Sequence, residues 1–325
     1  MAIIFRRSKF SGENVEMPIR VPSDLPAHAI LDKENIFVME TERASAQDIR
    51  PLKVGILNLM PNKIQTETQL CRLLSNTPLQ IDVDLIRIDN HVSKHTPAAH
   101  MDSFYVNFDD IADKRYDGLI ITGAPVALVA YEEISYWDKI TEIMDWAARN
   151  VQSTLYLCWA AHAAMYHHYN IHRGIADKKL FGVFAHYVTN PLDELVRGFD
   201  SCFCAPHSRY GYIPAEKYQS VDGLQVLAGS DEVGAYIVAS KDKRQVFLTG
   251  HPEYEANTLK DEYFRDANAG VDTQIPANYF ADNNPDKDPV MTWRSHGTLL
   301  YTNWLNYYVY QVTPFNLNDL SSATT

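Results

Sequence analysis

One cysteine, Cys158, lies where an apolar run meets a predicted helix in the stretch STLYLCWAAHAAMYHHY, residues 153–169. A thiol at a sharp strand-to-helix turn lies beside the positive end of the helix, which favours the nucleophilic thiolate. The amide of the next residue, Trp159, would point toward a developing oxyanion, as in the nucleophile elbow of serine hydrolases. The alternative is a buried packing residue, and the cysteine alone does not decide between the two.

A histidine and a glutamate two positions apart form the second candidate. The stretch LTGHPE contains His251 and Glu253. Strand residues two apart lie on one face, so the carboxylate could orient an imidazole that activates a thiol. Taken alone, the pair is more simply interpreted as a loop histidine and a solvated glutamate. With an elbow cysteine in the same chain, the order Cys…His-x-Glu predicts a catalytic triad.

Other motifs are weaker. The turn TGAP at 122–125 could donate backbone amides to a carbonyl oxygen, although alone it is only a turn. His167, His168 and His172 make no recognisable metal pattern with acidic partners. The chain has no phosphate-binding loop of the Walker type and no GxGxxG after a strand. We therefore expect neither a metal nor a resident cofactor.

The elements around these motifs predict an α/β fold. From Leu52 onward, short apolar runs such as LKVGILNLM and DGLIITGAP alternate with amphipathic segments such as EEISYWDKITEIMDWAARN. This alternation is typical of a mostly parallel sheet that is covered by helices on both faces. Ligands bind such sheets beyond the carboxyl ends of the strands. TGAP, Cys158 and His251 each follow a predicted strand, so we expect them to meet at that edge.

The last part of the chain departs from this pattern. After about residue 172, the stretches GVFAHYV, LQVLAGS, GAYIVAS and RQVFLTGHPE follow one another closely, which predicts an antiparallel or mixed part of the sheet. The final strong element, GTLLYTNWLNYYVYQ, is an aromatic-rich helix that would pack in the core or between subunits. We expect a homodimer on this ground.

Composition and charge exclude several classes of protein. The chain has 325 residues, of which 46% are hydrophobic, and a net charge of −12. Nucleic-acid binding needs a concentrated basic face, which an acidic surface disfavours. No apolar stretch reaches the roughly 20 residues that span a bilayer, and the first residues lack a signal-peptide core. We expect no nucleic-acid or membrane partner.

Cysteine usage indicates a reducing compartment. No two of the four cysteines have the spacing of a zinc knuckle, and Cys202 and Cys204 are too close for an easy disulfide. A chain of this length with few cysteines is typical of a reduced, cytoplasmic protein.

Together, these motifs resemble the class I glutamine amidotransferase-like fold, which is flavodoxin-like. The chain is more closely similar to the homoserine O-acyltransferase family, and within it to the homoserine O-succinyltransferase group. The matching stretches include RASAQDIRPLKVGILNLMPNKIQTETQ, DGLIITGAPV, STLYLCWAAHAA, APHSRY, ASKDKRQVFLTGHPEY, EYFRDAN and WRSHGTLLYTNWLNYYVYQVTPF. They predict a single domain over residues 17–315, preceded by a disordered extension at 1–16 and followed by a mobile tail at 316–325.

The resemblance implies a ping-pong acyl transfer in methionine biosynthesis. Cys158 would attack an acyl-CoA thioester and carry the acyl group. His251 would activate Cys158 and then deprotonate the hydroxyl of L-homoserine, with Glu253 orienting the imidazole. The amides of Trp159 and of the Gly123–Ala127 loop would form the oxyanion hole.

The same resemblance assigns the substrate contacts. Arg265 would clamp the homoserine carboxylate, and Ser208 and Lys179 would be further substrate contacts. Lys63 would lie near the acyl donor. A glutamate at position 127 would favour acetyl-CoA, whereas a small residue leaves room for a succinyl group, so Ala127 predicts succinyl-CoA. Typical succinyl users have glycine there, one methyl group smaller, and acetyl-CoA is therefore the alternative donor.

Two other functions are compatible with the same fold. A glutamine amidotransferase-type hydrolase would usually have a glycine-rich elbow, whereas Trp159 follows the cysteine here. A binding module that kept the fold without catalysis would have a Cys158 no more reactive than a free thiol. Ammonia release from glutamine and selective alkylation of Cys158 distinguish these functions from acyl transfer.

Overall fold

One large sheet organises the protein. The computed structural model describes residues 19–20, 25–26, 29–30, 50–88 and 96–320. Their sheet has eleven strands in the order β1-β3-β2-β5-β6-β11-β10-β9-β7-β8, and β4 pairs with β3 at the side. The strands are β1 (Ile19–Arg20), β2 (Leu52–Leu57), β3 (Ile81–Arg87), β4 (Tyr105–Asn107), β5 (Tyr116–Ile121), β6 (Val151–Leu157), β7 (Gly174–Val188), β8 (Cys202–Tyr212), β9 (Leu224–Ser230), β10 (Gly234–Ser240) and β11 (Gln245–Leu248).

The sheet has a parallel and an antiparallel part. The neighbours from β1 through β3, β2, β5 and β6 to β11 are parallel, as is the pair β3 and β4. From β11 through β10, β9 and β7 to β8 the neighbours are antiparallel. The predicted α/β class is confirmed, and so is the predicted mixed part after residue 172.

Helices cover both faces of the sheet. They are α1 (Lys63–Leu74), α2 (Ala98–Phe104), α3 (Trp137–Asn150), α4 (Trp159–Tyr169), α5 (Ala215–Gln219), α6 (Thr258–Asn268) and α7 (Arg294–Asn303). Within the described part of the chain, every helix is too short or too polar to cross a lipid bilayer.

Alternate residues of the central strands enter two separate cores. Ile120 and Leu155 belong to the core that contains α1 and α7, whereas Ile121 and Tyr156 belong to the core that contains α3 and α4. Side chains of successive strand residues point to opposite faces, so a strand buried on both faces becomes continuously apolar. This is why YDGLII and VQSTLYL are buried throughout.

The aromatic-rich last helix is a core element. After α7 the chain continues as a π-helix, Trp304–Tyr310, in which Trp304, Leu305 and Tyr308 are buried. The indole N–H of Trp304 donates a hydrogen bond to Oγ of Ser153 on β6, at 3.0 Å. Intramolecular packing therefore accounts for these aromatic residues, and the homodimer stays a prediction.

The predicted domain limits stay predictions. Residues 1–16 and 321–325 lie outside the described residues. At the start of the predicted tail, Arg115 donates hydrogen bonds to the carbonyl oxygens of Leu317, Asn318 and Leu320. Leu320 itself is buried.

Replacing Gly118 by alanine should destabilise the fold by about 1–3 kcal/mol, because overpacking a core costs that much. The added methyl group would lie 2.8 Å from Cη2 of the buried Trp304 ring. Urea denaturation followed by circular dichroism measures the change. Gly223→Ala is the matched control, since nothing lies within 4 Å of its added methyl group. Equal losses for the two variants would contradict the packing described for Trp304.

Candidate active site

Cys158 occupies a strained turn between β6 and α4. Its backbone has φ 49° and ψ −108°, a conformation that side-chain-bearing residues rarely adopt. The turn is held by a hydrogen bond from its N–H to the carbonyl oxygen of Leu248 on β11, at 2.6 Å. Trp159 begins α4, so its N–H has no acceptor within the helix. This is the predicted elbow, with a thiol at the positive end of a helix.

His251 and Glu253 form a buried pair. Nδ1 of His251 lies 2.7 Å from Oε1 of Glu253, and both side chains are about 5% exposed. The ring of Tyr254 stacks on the imidazole, with 4.0 Å between centroids and 10° between planes. The carboxylate and the tyrosine together fix the orientation of the imidazole.

The thiol and the imidazole meet at Gly123. A methyl group on Gly123 would lie 3.4 Å from Cβ of Cys158 and 3.8 Å from Cε1 of His251. Burial lowers the pKa of His251, but the charges of Cys158 and Glu253 and hydrogen bonds to both raise it to about 10. An imidazolium between two anions is the charge arrangement of an activated cysteine.

These groups open onto a cavity of about 790 Å³. Its wall includes Cys158, His251 and the loop Gly123–Pro125, whose residues have small side chains. The polar face of α1 lines another side, and α6 with Ser208 closes the far side. The size and mixed polarity are typical of a small-molecule site.

The far side of the cavity is a charged cluster. Ser208 and Arg265 line the cavity, as does Glu262, which the sequence prediction missed. Oε1 of Glu262 accepts hydrogen bonds from the Ser208 hydroxyl at 2.8 Å and from Nζ of Lys179 at 2.5 Å. Arg265 bonds Asp266 through Nε and Nη2. The three predicted contacts are thus brought together, with Lys179 held through Glu262.

The missed residue had a signal in the sequence. Glu262 precedes Arg265 by three positions in EYFRDAN, and residues three apart share one face of a helix. A carboxylate one turn from a guanidinium is the pattern that could bind both charges of an amino acid.

Lys63 and Ala127 are not among the described residues that line this cavity, although Asn62 and Pro125, close to them in the chain, are. Lys63 is buried and donates a hydrogen bond to the carbonyl oxygen of Asn58 at 2.5 Å. Burial lowers its pKa to about 8, although nearby Glu67 opposes this. Ala127 follows the lining loop and is half-buried in a turn.

A further cluster was not foreseen. Asp145 on α3 joins His167 and His168 on α4, and one possible ligand atom of each lies within 4.8 Å of the others. Nε2 of His167 is already 2.7 Å from Oδ1 of Asp145. Asp145 is 22 residues from His167 in the sequence, so the histidine motif alone did not indicate this acidic partner. The absence of a metal site stays a prediction.

Known proteins of one family are similar to this chain over almost its whole length. A family model of homoserine O-succinyltransferase matches residues 18–315. A homoserine O-succinyltransferase of Alteromonas mediterranea is 64% identical over 308 residues, covering 95% of this chain and 99% of the relative. One of Pseudoalteromonas atlantica is 61% identical over 306 residues, covering 94% and 99%. The chain belongs to the homoserine O-succinyltransferase family. The predicted family and the predicted acyltransferase class are confirmed.

Solved structures agree on the fold. A glutamine amidotransferase from Thermotoga maritima superposes with a TM-score of 0.50 at 10% identity, covering 80% of this chain and 99% of that chain. This likeness concerns the fold alone. The predicted glutamine amidotransferase-like architecture is confirmed, while the roles of individual site residues stay predictions.

Glu253→Gln should lower the pKa of His251 from about 10, because it removes one of the two anions that favour the imidazolium. In the wild-type protein, His251 should stay protonated until the pH approaches 10. In the variant, the proton should be lost at lower pH. Nuclear magnetic resonance of the labelled imidazole measures both titrations.

Glu255→Gln is the matched control for this titration. The Glu255 carboxylate is two positions away and bonds Arg72 and Arg294 instead of the imidazole. Its loss should leave the His251 titration unchanged. Identical curves for wild type and Glu253→Gln would show that Glu253 does not hold the charge of His251.

Proposed function

We propose that this chain transfers the succinyl group of succinyl-CoA to the hydroxyl of L-homoserine, as a step of methionine biosynthesis. The products are O-succinyl-L-homoserine and CoA. The observation that carries the proposal is that Cys158 and His251 line a cavity with charged residues, with Glu253 bonded to the imidazole, in a chain of this family. The three side chains themselves supply a nucleophile, a proton carrier and an orienting anion.

The first half-reaction transfers the acyl group to the enzyme. The Cys158 thiolate attacks the carbonyl carbon of succinyl-CoA, and a bond from Sγ to that carbon forms. The negative charge on the carbonyl oxygen faces the free N–H of Trp159 and the amides of loop 123–127. The bond to the CoA sulfur then breaks, and the imidazolium of His251 gives its proton to the departing thiolate.

The second half-reaction returns the enzyme to its starting state. Neutral His251 takes the hydroxyl proton of homoserine, and the oxygen attacks the acyl carbon on Cys158. Collapse of the intermediate releases the ester and restores the thiolate beside an imidazolium. Water competes with homoserine at this stage, so the burial of Cys158 and His251 protects the intermediate.

Homoserine is a zwitterion that needs one anchor for each charge. Arg265 lines the cavity with a side chain that is 68% exposed, and its guanidinium can bind the carboxylate. Glu262 lies one helical turn earlier and can accept the ammonium group. Lys179 and Ser208 hold Glu262 in place and are the remaining contacts.

The donor is the finer part of the proposal. The small Ala127 would leave space for the succinyl group, whereas a glutamate there would favour acetyl-CoA. Acetyl-CoA is the alternative donor. Hydrolysis of glutamine is the less favoured alternative, because the elbow has Trp159 in place of glycine. The reaction requires no cofactor, and we place the enzyme in the cytoplasm as a homodimer.

Brief mixing with succinyl-CoA in the absence of homoserine should add one succinyl group to the wild-type chain, detected by intact-protein mass spectrometry. The adduct should vanish when homoserine is added, because the hydroxyl takes the acyl group. Cys158→Ser should not form this exchangeable adduct, and Cys202→Ser, which changes an exposed cysteine, should behave as wild type.

Each other result of that experiment has a definite meaning. An adduct formed from acetyl-CoA but not from succinyl-CoA would support the acyl-enzyme mechanism and contradict succinyl-CoA as the donor. The absence of an adduct from both donors would remove Cys158 as acyl carrier. Ammonia release from glutamine would support the hydrolase instead.

Arg265→Lys should raise KM for homoserine by about tenfold, since loss of one charge-assisted, bidentate contact costs about 1–2 kcal/mol. The yield of acyl-enzyme from succinyl-CoA should not change, because homoserine is absent from that step. Steady-state kinetics and the mass measurement test the two halves separately. Arg149→Lys, on α3, is the control. A lower acyl-enzyme yield in Arg265→Lys would place this residue on the donor instead.

A further inference from the structure

Asp145, His167 and His168 form a cluster outside the cavity that contains Cys158. Asp145 lies on α3, and the two histidines lie in the last turn of α4. One possible ligand atom of each residue lies within 4.8 Å of the others. At a rise of about 1.5 Å per residue, His167 is roughly 12 Å along the helix from Trp159. The cluster is therefore separate from the proposed catalytic residues.

The present contacts of the cluster leave one polar atom without a partner. Nε2 of His167 donates a hydrogen bond to Oδ1 of Asp145 at 2.7 Å. Nε2 of His168 is buried and has no hydrogen-bond partner among the residues that the structure describes. Buried polar atoms without a partner are rare, because each one loses its bonds to water on folding. His168 therefore points to a ligand that neither helix supplies.

The donor atoms favour a transition metal. Zn²⁺ binds imidazole nitrogen and carboxylate oxygen at about 2.0–2.2 Å, and sites with three protein ligands leave a position for water. Imidazole also suits copper and nickel ions, whereas Mg²⁺ and Ca²⁺ prefer oxygen ligands. Two imidazoles and one carboxylate are thus the ligand set of a zinc site and not of a magnesium site.

Small side-chain rotations would bring the three donors to metal-binding distance. Ligands about 2.0–2.1 Å from a tetrahedral metal lie roughly 3.3 Å from one another. The bonded pair would open from 2.7 Å, with the metal replacing the proton between Nε2 and Oδ1. The side chains of His167 and Asp145 are 24% and 49% exposed, so an ion can reach them from solvent.

We propose that Asp145, His167 and His168 bind one Zn²⁺ ion, which links α3 to the end of α4. This inference does not depend on the proposed acyl transfer. It departs from the absence of a metal that the sequence predicts, because the histidine motif alone contains no acidic partner. The competing interpretation is an ion pair of Asp145 and His167 beside a packed His168.

The ion would join two helices that share one core. Ile143 on α3 and Ala164 on α4 are buried in the same core. Because α4 begins directly after Cys158, the ion would tie α3 to the helix that supports the elbow. A metal that binds only the folded chain stabilises that chain by mass action. Bound Zn²⁺ should therefore stabilise the fold around the elbow.

Calorimetric titration of Zn²⁺ into full-length Cys158→Ser tests the site, because that substitution removes a thiolate that would itself bind the metal. In this background, Asp145→Asn and His167→Ala should each weaken binding about tenfold or more. Even groups that only support a metal ligand contribute about 10- to 100-fold. His172→Ala is the matched control, since it removes an exposed histidine just beyond α4 and should leave the affinity unchanged.

Two further measurements report the ligands and the stabilisation. Co²⁺ in place of Zn²⁺ should give the visible absorption of a tetrahedral site without a thiolate charge-transfer band, and Asp145→Asn should abolish that absorption. Zn²⁺ at about 100 times its dissociation constant should raise Tm by about 5 °C in the parent chain and not in Asp145→Asn. Circular dichroism verifies that each variant is folded.

Several results would overturn the site. If Cys158→Ser bound no Zn²⁺, the cluster would be an ion pair beside a packed histidine. Equal affinity with and without Asp145→Asn and His167→Ala would place the metal elsewhere, and a thiolate band with Co²⁺ would assign it to Cys202 and Cys204. Competition by Mg²⁺ at concentrations similar to Zn²⁺ would contradict the imidazole ligands.

Discussion

The pairing of β6 with β11 is the constraint on which the site depends. The two strands are parallel and in register, with Leu157 opposite Leu248. Because parallel strands end at the same edge, the residues that follow them emerge side by side. Cys158 is one residue beyond the end of β6, and His251 is three residues beyond the end of β11. The hydrogen bond from Cys158 N–H to Leu248 O continues the ladder and holds the strained turn.

The site also depends on how the fold compensates buried charge. An ion pair taken out of water loses hydration, and only good geometry with several partners offsets the loss. His251 lies between two anions, and this arrangement favours its charged form. Arg209 supplies a further buried positive charge, donating to the carbonyl oxygens of Gly211 and Val233. Burial lowers the pKa of Arg209, and the charge of Cys158 partly offsets this.

Much of the architecture follows from local patterns. Continuous apolar strands and amphipathic helices indicated an α/β sheet covered on both faces, and the closely spaced strands after residue 172 indicated its antiparallel part. The elbow itself could also be predicted, because the strand before Cys158 and the helix after it are both recognisable from the sequence next to the cysteine. Asp145 was missed because its histidine partners lie on another helix, whose approach no local pattern encodes. The spacing of Glu262 from Arg265 was visible in the sequence, but its contacts with Ser208 and Lys179 were not.

The sequence by itself determined the element types and predicted Cys158, His251 and Glu253 as a candidate triad, because both depend on side-chain chemistry and spacing along one chain. Only the tertiary structure decided that Lys63 is a buried residue bonded to carbonyl oxygens, that Lys179 contacts Glu262, and that Asp145 lies beside His167. Such relations arise from the packing of distant segments. Many tertiary arrangements of the helices and strands are compatible with one local pattern, and the need to bury the apolar side chains of both cores selects among them.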